Sequence, residues 1–156
     1  MIFVAHRGLV HGKDSNIENK PETIDNAINL GFDAEIDLRL IDGKFYLGHD
    51  EDKLTFIDFD FILTRKSKLW VHAKNYQAFD FLYEYKKEIN YFWHTEDDFT
   101  LTSFGYPWIY PGKAELKNGI MVMPEYYMDY KNAHKLLVSG ICSDHILEIR
   151  KNYFNT

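Results

Sequence analysis

The chain has 156 residues, enough for one domain with a real core, and its 46% hydrophobic content is that of an ordinary globular protein. A net charge of -6, from 24 acidic and 18 basic residues, argues against a nucleic-acid surface built on overall positive charge, yet leaves room for a local cationic spot holding one phosphate. The single cysteine, Cys142, excludes an intrachain disulfide, and no stretch approaches the roughly 18 consecutive apolar residues of a membrane span.

The chain opens on a short apolar run, Ile2 to Ala5, that reads as a buried first strand delivering His6-Arg7-Gly8. That run is too short for a signal peptide, so the expected location is the cytoplasm. Residues 9–21 are polar and read as a loop. Pro21 and Glu22 suit a helix start, and Ile24, Ala27, Ile28 and Leu30 give an apolar stripe that Gly31 ends.

Phe32 to Leu40 reads as a second strand, in which Ala34, Ile36 and Leu38 alternate with Glu35, Asp37 and Arg39. The alternation places three charged residues on one face. That face is either the solvated side of an edge strand or the interior of a closed sheet, where charge is costly unless it binds something. Asp42-Gly43 predicts a hairpin turn, and the return strand ends at His49-Asp50. Thr55 to Lys66 is expected to be a helix. Leu69 to Val71 begins a third main strand with His72-Ala73-Lys74 at its end, and Asn75 caps a helix running to about Glu88. That helix is expected to bury Ala78, Phe79, Leu82 and Tyr85.

Further strands are expected at Asn90–His94, Tyr106–Tyr110, Gly119–Met123 and Ile141–Asp144, with a single helical turn inside 95–104. Helices are expected at Tyr130–Val138 and His145–Phe154. Trp70, Trp93 and Trp108 fall in strands, where packing is their default role, and aromatic residues make up 17% of the chain. The alternation of strand and helix predicts an α/β fold with a mainly parallel sheet of seven main strands plus a hairpin. A full (β/α)₈ barrel takes about 250 residues, so the expectation is a single domain over 1–156 forming a reduced or irregular TIM-type barrel of seven to eight strands. An open doubly wound sheet is the alternative.

In a parallel α/β fold the strand ends meet on one face. His6-Arg7-Gly8, Pro21-Glu22-Thr23, Glu35-x-Asp37 and Gly48-His49-Asp50 all fall at such ends. In order and approximate spacing they resemble the glycerophosphodiester phosphodiesterase family, within the wider group of phosphatidylinositol-specific phospholipase C and the sphingomyelinase-D-like phospholipases. The close match covers roughly residues 1–50; beyond residue 75 it fades, with Gly140 to Asp144 similar to the family's final strand.

The resemblance implies a barrel and metal-assisted phosphodiester cleavage, with His6 and His49 as catalytic acid and base. Glu35 and Asp37 would hold the metal, for which these hard oxygen donors suit Mg²⁺ or Ca²⁺. Arg7 would clamp the phosphate, with Glu22 pairing to hold Arg7. Where the family carries Glu-x-Lys on the third strand, this chain has His72-Ala73-Lys74. Lys74 matches as a phosphate contact. His72 either ligates the metal, which shifts preference toward Mn²⁺ or Zn²⁺, or contacts substrate. His94 is a candidate substrate contact, Asp97-Asp98 suits a helix N-terminus, and Glu125 and Asp144 are further strand-end carboxylates.

The expected partner is thus a small-molecule phosphodiester with a polyol or sugar on one side. No nucleic acid is expected, and the sequence does not specify an oligomeric state. Two other readings stand beside hydrolysis. One is a non-catalytic module that binds a phosphorylated ligand; the other is a lyase-like phospholipase releasing a cyclic phosphate.

Overall fold

The computed structural model describes residues 1–155. In chain order its strands are β1 (Ile2–Ala5), β2 (Asp33–Ile41), β3 (Lys44–Leu47), β4 (Thr55–Ile57), β5 (Leu69–Ala73), β6 (Asn90–Phe92), β7 (Phe99–Leu101), β8 (Pro107–Ile109), β9 (Ile120–Val122) and β10 (Gly140–Ser143). Its α-helices are α1 (Pro21–Asn29), α2 (Phe59–Arg65), α3 (Tyr76–Tyr83) and α4 (Ile146–Phe154).

Parallel pairing runs β6-β5-β2-β1-β10-β9-β8. The first and last strands are neighbours, with Ile2 opposite Gly140 and Ala5 opposite Ser143. This cyclic order is that of a barrel; a doubly wound sheet reverses its order at a switch point. The sheet also curls. Trp70 on β5 and Trp108 on β8 lie far apart along it, yet their ring centroids are 5.7 Å apart, and Phe92 on β6 is 4.5 Å from Trp108. It does not close by strand pairing, because β6 and β8 share no ladder. Ser103 meets the β6 edge instead. Its N–H donates to the Tyr91 carbonyl (2.8 Å), and its hydroxyl accepts from the Tyr91 N–H (3.0 Å) and donates to the Ile89 carbonyl (2.8 Å). The result is a mixed α/β fold with a curled, open sheet, a partial barrel.

The strand alternation assigns the faces. Outward residues such as Ile36, Leu38, Val71 and Ala73 pack under the helices with Ile62, Ala78 and Leu82. Inward residues Val4, Trp70, Phe92, Trp108, Ile120 and Cys142 fill the lower barrel as one apolar plug. One step further along come His72 after Trp70 on β5 and Asp144 after Cys142 just past β10, while β2 sets Glu35 and Asp37 opposite Trp70 and His72. The charged face of β2 is thus interior, with Glu35, Asp37 and Arg39 all buried, not the solvated side of an edge strand.

The seam between β1 and β10 tolerates no side chain at Gly140. A Cβ there would lie 2.7 Å from Ile120 Cδ1 and 2.8 Å from both Ile2 Cβ and the Ile2 carbonyl oxygen. Gly140→Ala is expected to lower stability by about 1–3 kcal/mol, the usual cost of overpacking. Urea unfolding checks this, and an unchanged midpoint would contradict it.

Several elements differ from the sequence-based expectation. Thr55 to Ile57 is a strand, not the first turn of a helix. It pairs antiparallel with β3, so its β-branched and aromatic side chains extend the hairpin, and the helix begins at Phe59. The segment 95–104 holds β7, an antiparallel partner of β8, in place of a helical turn. The helix capped by Asn75, whose side chain accepts from the Ala78 N–H, ends at Tyr83 and not near Glu88. It buries Ala78 and Leu82, but Phe79 is exposed. Tyr130 to Lys135 is a 3₁₀ turn and not an α-helix. Among the described residues, no helix is long and apolar enough to cross a membrane.

Candidate active site

The polar residues collect at the C-terminal ends of the parallel strands, around a cleft of about 490 Å³. Its polar lining includes His6, Arg7, Glu35, Asp37, His49, His72 and Lys74, and its apolar and aromatic lining includes Trp108, Tyr110, Val122, Met123 and Tyr126. The strand ends come together because each apolar run below them is anchored in the plug. Of the residues anticipated from sequence, the cleft is lined by His6, Arg7, Glu35, Asp37, His49, His72, Lys74 and His94, but not by Glu22 or by the strand-end carboxylates Glu125 and Asp144.

The turn after β1 is the tightest piece. Arg7 and Gly8 are both left-handed, with φ of 52° and 79°. For arginine this conformation costs about 1–3 kcal/mol and must be held by its surroundings. The Arg7 N–H donates to Glu35 Oε2 (3.0 Å), the Asn19 N–H to the Arg7 carbonyl (3.0 Å) and the Leu9 N–H to the His6 carbonyl (2.9 Å). Gly8 is required, since a Cβ would approach the Ile24 backbone nitrogen to 3.0 Å.

The two buried carboxylates each use one oxygen for structure. Glu35 Oε2 is taken by the Arg7 N–H. Asp37 Oδ2 accepts from Asn19 Nδ2 (2.9 Å) and lies 3.1 Å from Arg7 Nε. Glu35 Oε1 and Asp37 Oδ1 are then left facing His72 Nδ1, at 3.9 and 3.2 Å. His72 Nε2 lies 3.2 Å from the His94 carbonyl, an oxygen that can only accept. Nε2 therefore carries the hydrogen, and Nδ1 is the atom aimed at the carboxylates. A ligand atom from each of Glu35, Asp37 and His72 lies within 4.8 Å of the others.

The electrostatics match a cation site. Burial and the neighbouring Asp37 charge push the Glu35 carboxyl above its usual range. Burial acts the same way on Asp37. There it is outweighed by the hydrogen bond from His72 and the charges of His72, Arg7 and Lys74, which hold Asp37 well below its usual range. Lys74 Nζ stands 4.0 Å from Asp37 Oδ1. Two carboxyl groups enclosed together, each turning one oxygen toward the same imidazole nitrogen, fit a divalent metal.

His6 Nδ1 donates to Asp144 Oδ1 (2.8 Å), leaving Nε2 as the ring's free nitrogen, 4.0 Å from Glu35 Oε2. Burial disfavours the imidazolium, but the Asp144 hydrogen bond and the Glu35 charge outweigh it, so the His6 pKa is raised above the ordinary value. Asp144 is itself held, because Glu125 Oε1 accepts from the Asp144 N–H (3.0 Å) and from the Ser143 hydroxyl (2.8 Å). His49 also lines the cleft, half-exposed, its Nδ1 on Asp50 Oδ1 (2.8 Å). His94 is buried in the cleft wall with no hydrogen bond to either ring nitrogen among the described residues; Asp97 is 3.9 Å away. Burial, followed by the His72 charge, lowers its pKa.

One pairing expected from the sequence is not made. Arg7 donates from Nη1 to Glu18 (3.1 Å), whereas Glu22 stands exposed on the first turn of α1. Glu18 lies in the loop before Pro21 and returns toward Arg7. Glu22 begins the helix and points away with its outer face. Asn19 was not anticipated either. It holds Asp37 from two sides, donating to Oδ2 and accepting the Asp37 N–H (3.0 Å). Its signal is weak: it is one of two Asn in a polar loop, a type enriched among non-glycine residues at the left-handed φ of 54° found there.

No family model matches the chain, and no curated protein matches it. Two solved structures from Parabacteroides distasonis share its fold. One is a glycerophosphodiester phosphodiesterase with 12% identity and a TM-score of 0.62, covering 99% of this chain and 97% of its own. The other is a glycerophosphoryl diester phosphodiesterase with 14% identity and a TM-score of 0.65, covering 99% and 87%.

Proposed function

We propose that this protein is a divalent-metal-dependent phosphodiesterase acting on glycerophosphodiester-like or other polyol phosphodiesters. The observation that carries the reading is the convergence of a held histidine, His6 on Asp144, with the Glu35–Asp37–His72 cluster in one cleft. The two neighbours of the same fold are described as enzymes of that class.

Glu35, Asp37 and His72 would hold the ion, and the imidazole beside two carboxylate oxygens shifts preference from the all-oxygen ions Mg²⁺ and Ca²⁺ toward Mn²⁺ or Zn²⁺. A bound ion supplies Lewis acidity that neutralises charge on the phosphate. Arg7 and Lys74 add positive charge beside it. The free Nε2 of His6 takes the proton of the attacking oxygen, and His49, the other histidine of the catalytic pair, protonates the departing alkoxide. His94, with two unused ring nitrogens, contacts the substrate.

The test is turnover of an aryl phosphodiester and a panel of glycerophosphodiesters, first metal-free and then with Mg²⁺, Mn²⁺ and Ca²⁺. Metal-dependent turnover that Glu35→Ala abolishes is the expected result; no turnover of any ester overturns the reading. Phosphorus NMR of the product separates hydrolysis from internal transfer, which leaves a cyclic phosphate. The corrected partner of Arg7 gives a second expectation. Glu18→Gln should weaken inorganic phosphate binding by about 3–10-fold, part of a charge-assisted hydrogen bond, while Glu22→Gln leaves it unchanged. Calorimetry reads both, and equal effects would contradict the assignment.

A further inference from the structure

Arg39 is the third charged inward residue of β2, after Glu35 and Asp37, and has no part in the chemistry above. Its side chain is nine-tenths buried. It turns away from the metal-type cluster and donates from Nη2 to the His49 carbonyl (2.7 Å) and from Nε to the Gly48 carbonyl (3.4 Å). Nη1 reaches the Lys74 carbonyl (3.5 Å) and Glu51 Oε1 (3.2 Å). Burying a guanidinium costs several kcal/mol unless its donors are used. Glu51 is 80% exposed, so its charge is screened by water, and the main-chain carbonyls are the partners that count.

Those carbonyls belong to the segment that carries His49 and to the end of β5 that carries Lys74. Nothing on the His49 side chain could fix that segment, since its partner Asp50 is 73% exposed. From below, the Gly48 N–H donates to the Asp37 carbonyl (3.0 Å). The backbone there is packed so closely that a Cβ on Gly48 would lie 2.5 Å from the Lys53 carbonyl oxygen.

We infer that Arg39 is a positioning residue: its buried guanidinium locks the Gly48–His49 backbone to the end of β5 and so sets where the His49 imidazole stands in the cleft. Lysine cannot replace it, because an ammonium is a compact charge that cannot span three carbonyls as a planar fork does. A misplacement of about 1 Å in a reacting group costs up to about 10²-fold in rate. The catalytic consequence rests on the proposed phosphodiesterase reading; the positioning of His49 does not.

The experiment compares wild type with Arg39→Lys and Arg39→Ala by kinetics, Mn²⁺ titration and histidine ring NMR of the metal-free protein. The expected result is a kcat lower by roughly 10–100-fold with KM within threefold. Mn²⁺ affinity and the His6 ring signals stay unchanged, while the His49 ring signals shift or broaden. Millimolar guanidinium restores part of the kcat of Arg39→Ala and does nothing for wild type. Unmoved His49 signals in both variants would overturn the inference. So would loss of metal binding and of the His6 signals together with those of His49, since Arg39 would then be a general structural residue. If wild type turns over no phosphodiester, the functional reading fails, and the His49 signals still decide the role of Arg39.

Discussion

Asp37→Ala is expected to abolish divalent-metal binding and to lower turnover by at least about 10³-fold, because several kcal/mol of charge stabilisation would be lost and each 1.4 kcal/mol is tenfold. The same substitution lowers the stability of the metal-free protein by about 3–5 kcal/mol, the cost of leaving buried charge without its partner. Asp37 is 1% exposed and stands between Arg7 Nε at 3.1 Å, His72 Nδ1 at 3.2 Å and Lys74 Nζ at 4.0 Å. Without it, the buried Arg7 and Lys74 charges lose the carboxylate they share, and Glu35 is one that burial already drives toward its neutral form. The pH dependence has a definite sign. The folded-state pKa of Asp37 is depressed, so its contribution is complete above the unfolded value of about 3.9 and is lost as the pH falls below it. Mn²⁺ calorimetry and urea unfolding check both effects. Metal affinity within threefold of wild type would remove Asp37 from the site.

His6→Ala is expected to lower kcat by roughly 10²–10⁴-fold, the usual increment of a positioned acid–base group. Metal binding should survive, since His6 stands outside the three-residue cluster, with Nε2 4.0 Å from Glu35. Asp144→Asn separates basicity from mere presence. Asp144 raises the His6 pKa through its hydrogen bond and charge, against the effect of burial. If His6 is the base, activity rises as the pH climbs through that raised value. Removing the Asp144 charge lowers the pKa and moves this acidic limb to lower pH, while kcat on the plateau falls by roughly 10²-fold. The pH–rate profiles of wild type and variant, at one fixed metal concentration, read the shift. A limb that stays in place would assign it to another group.

Much of the architecture was legible in local pattern. The apolar runs that became β1, β5, β9 and β10, the alternation in β2 and the Asp42-Gly43 turn are short-range signals. They are set by burial of one face and by backbone conformations few residues accept. Asp42 and Gly43 take the positive φ values a tight hairpin needs, 49° and 74°. The pairing of Glu35 with Asp37 was legible for the same reason, since residues two apart on a strand share a face.

What the sequence could not decide was which side of β2 faced solvent, and who partners whom across the cleft. Period two separates Glu35, Asp37 and Arg39 from Ile36 and Leu38, but it is symmetric between an edge strand and a barrel interior. Only the curling of the sheet, which brings Trp70, Phe92 and Trp108 together beneath them, makes that face internal. Thr55–Ile57 and Phe99–Leu101 are strands because a neighbouring edge was there to pair with, a long-range condition invisible in a three-residue run. Asp144 meets His6 across 138 residues of chain, and Glu18 takes the place expected for Glu22 because the loop before Pro21 folds back on Arg7. The sequence by itself determined the residue types of the site and the strands that carry them. Only the tertiary structure decided their contacts, because a hydrogen bond between distant residues depends on the path of everything packed between them.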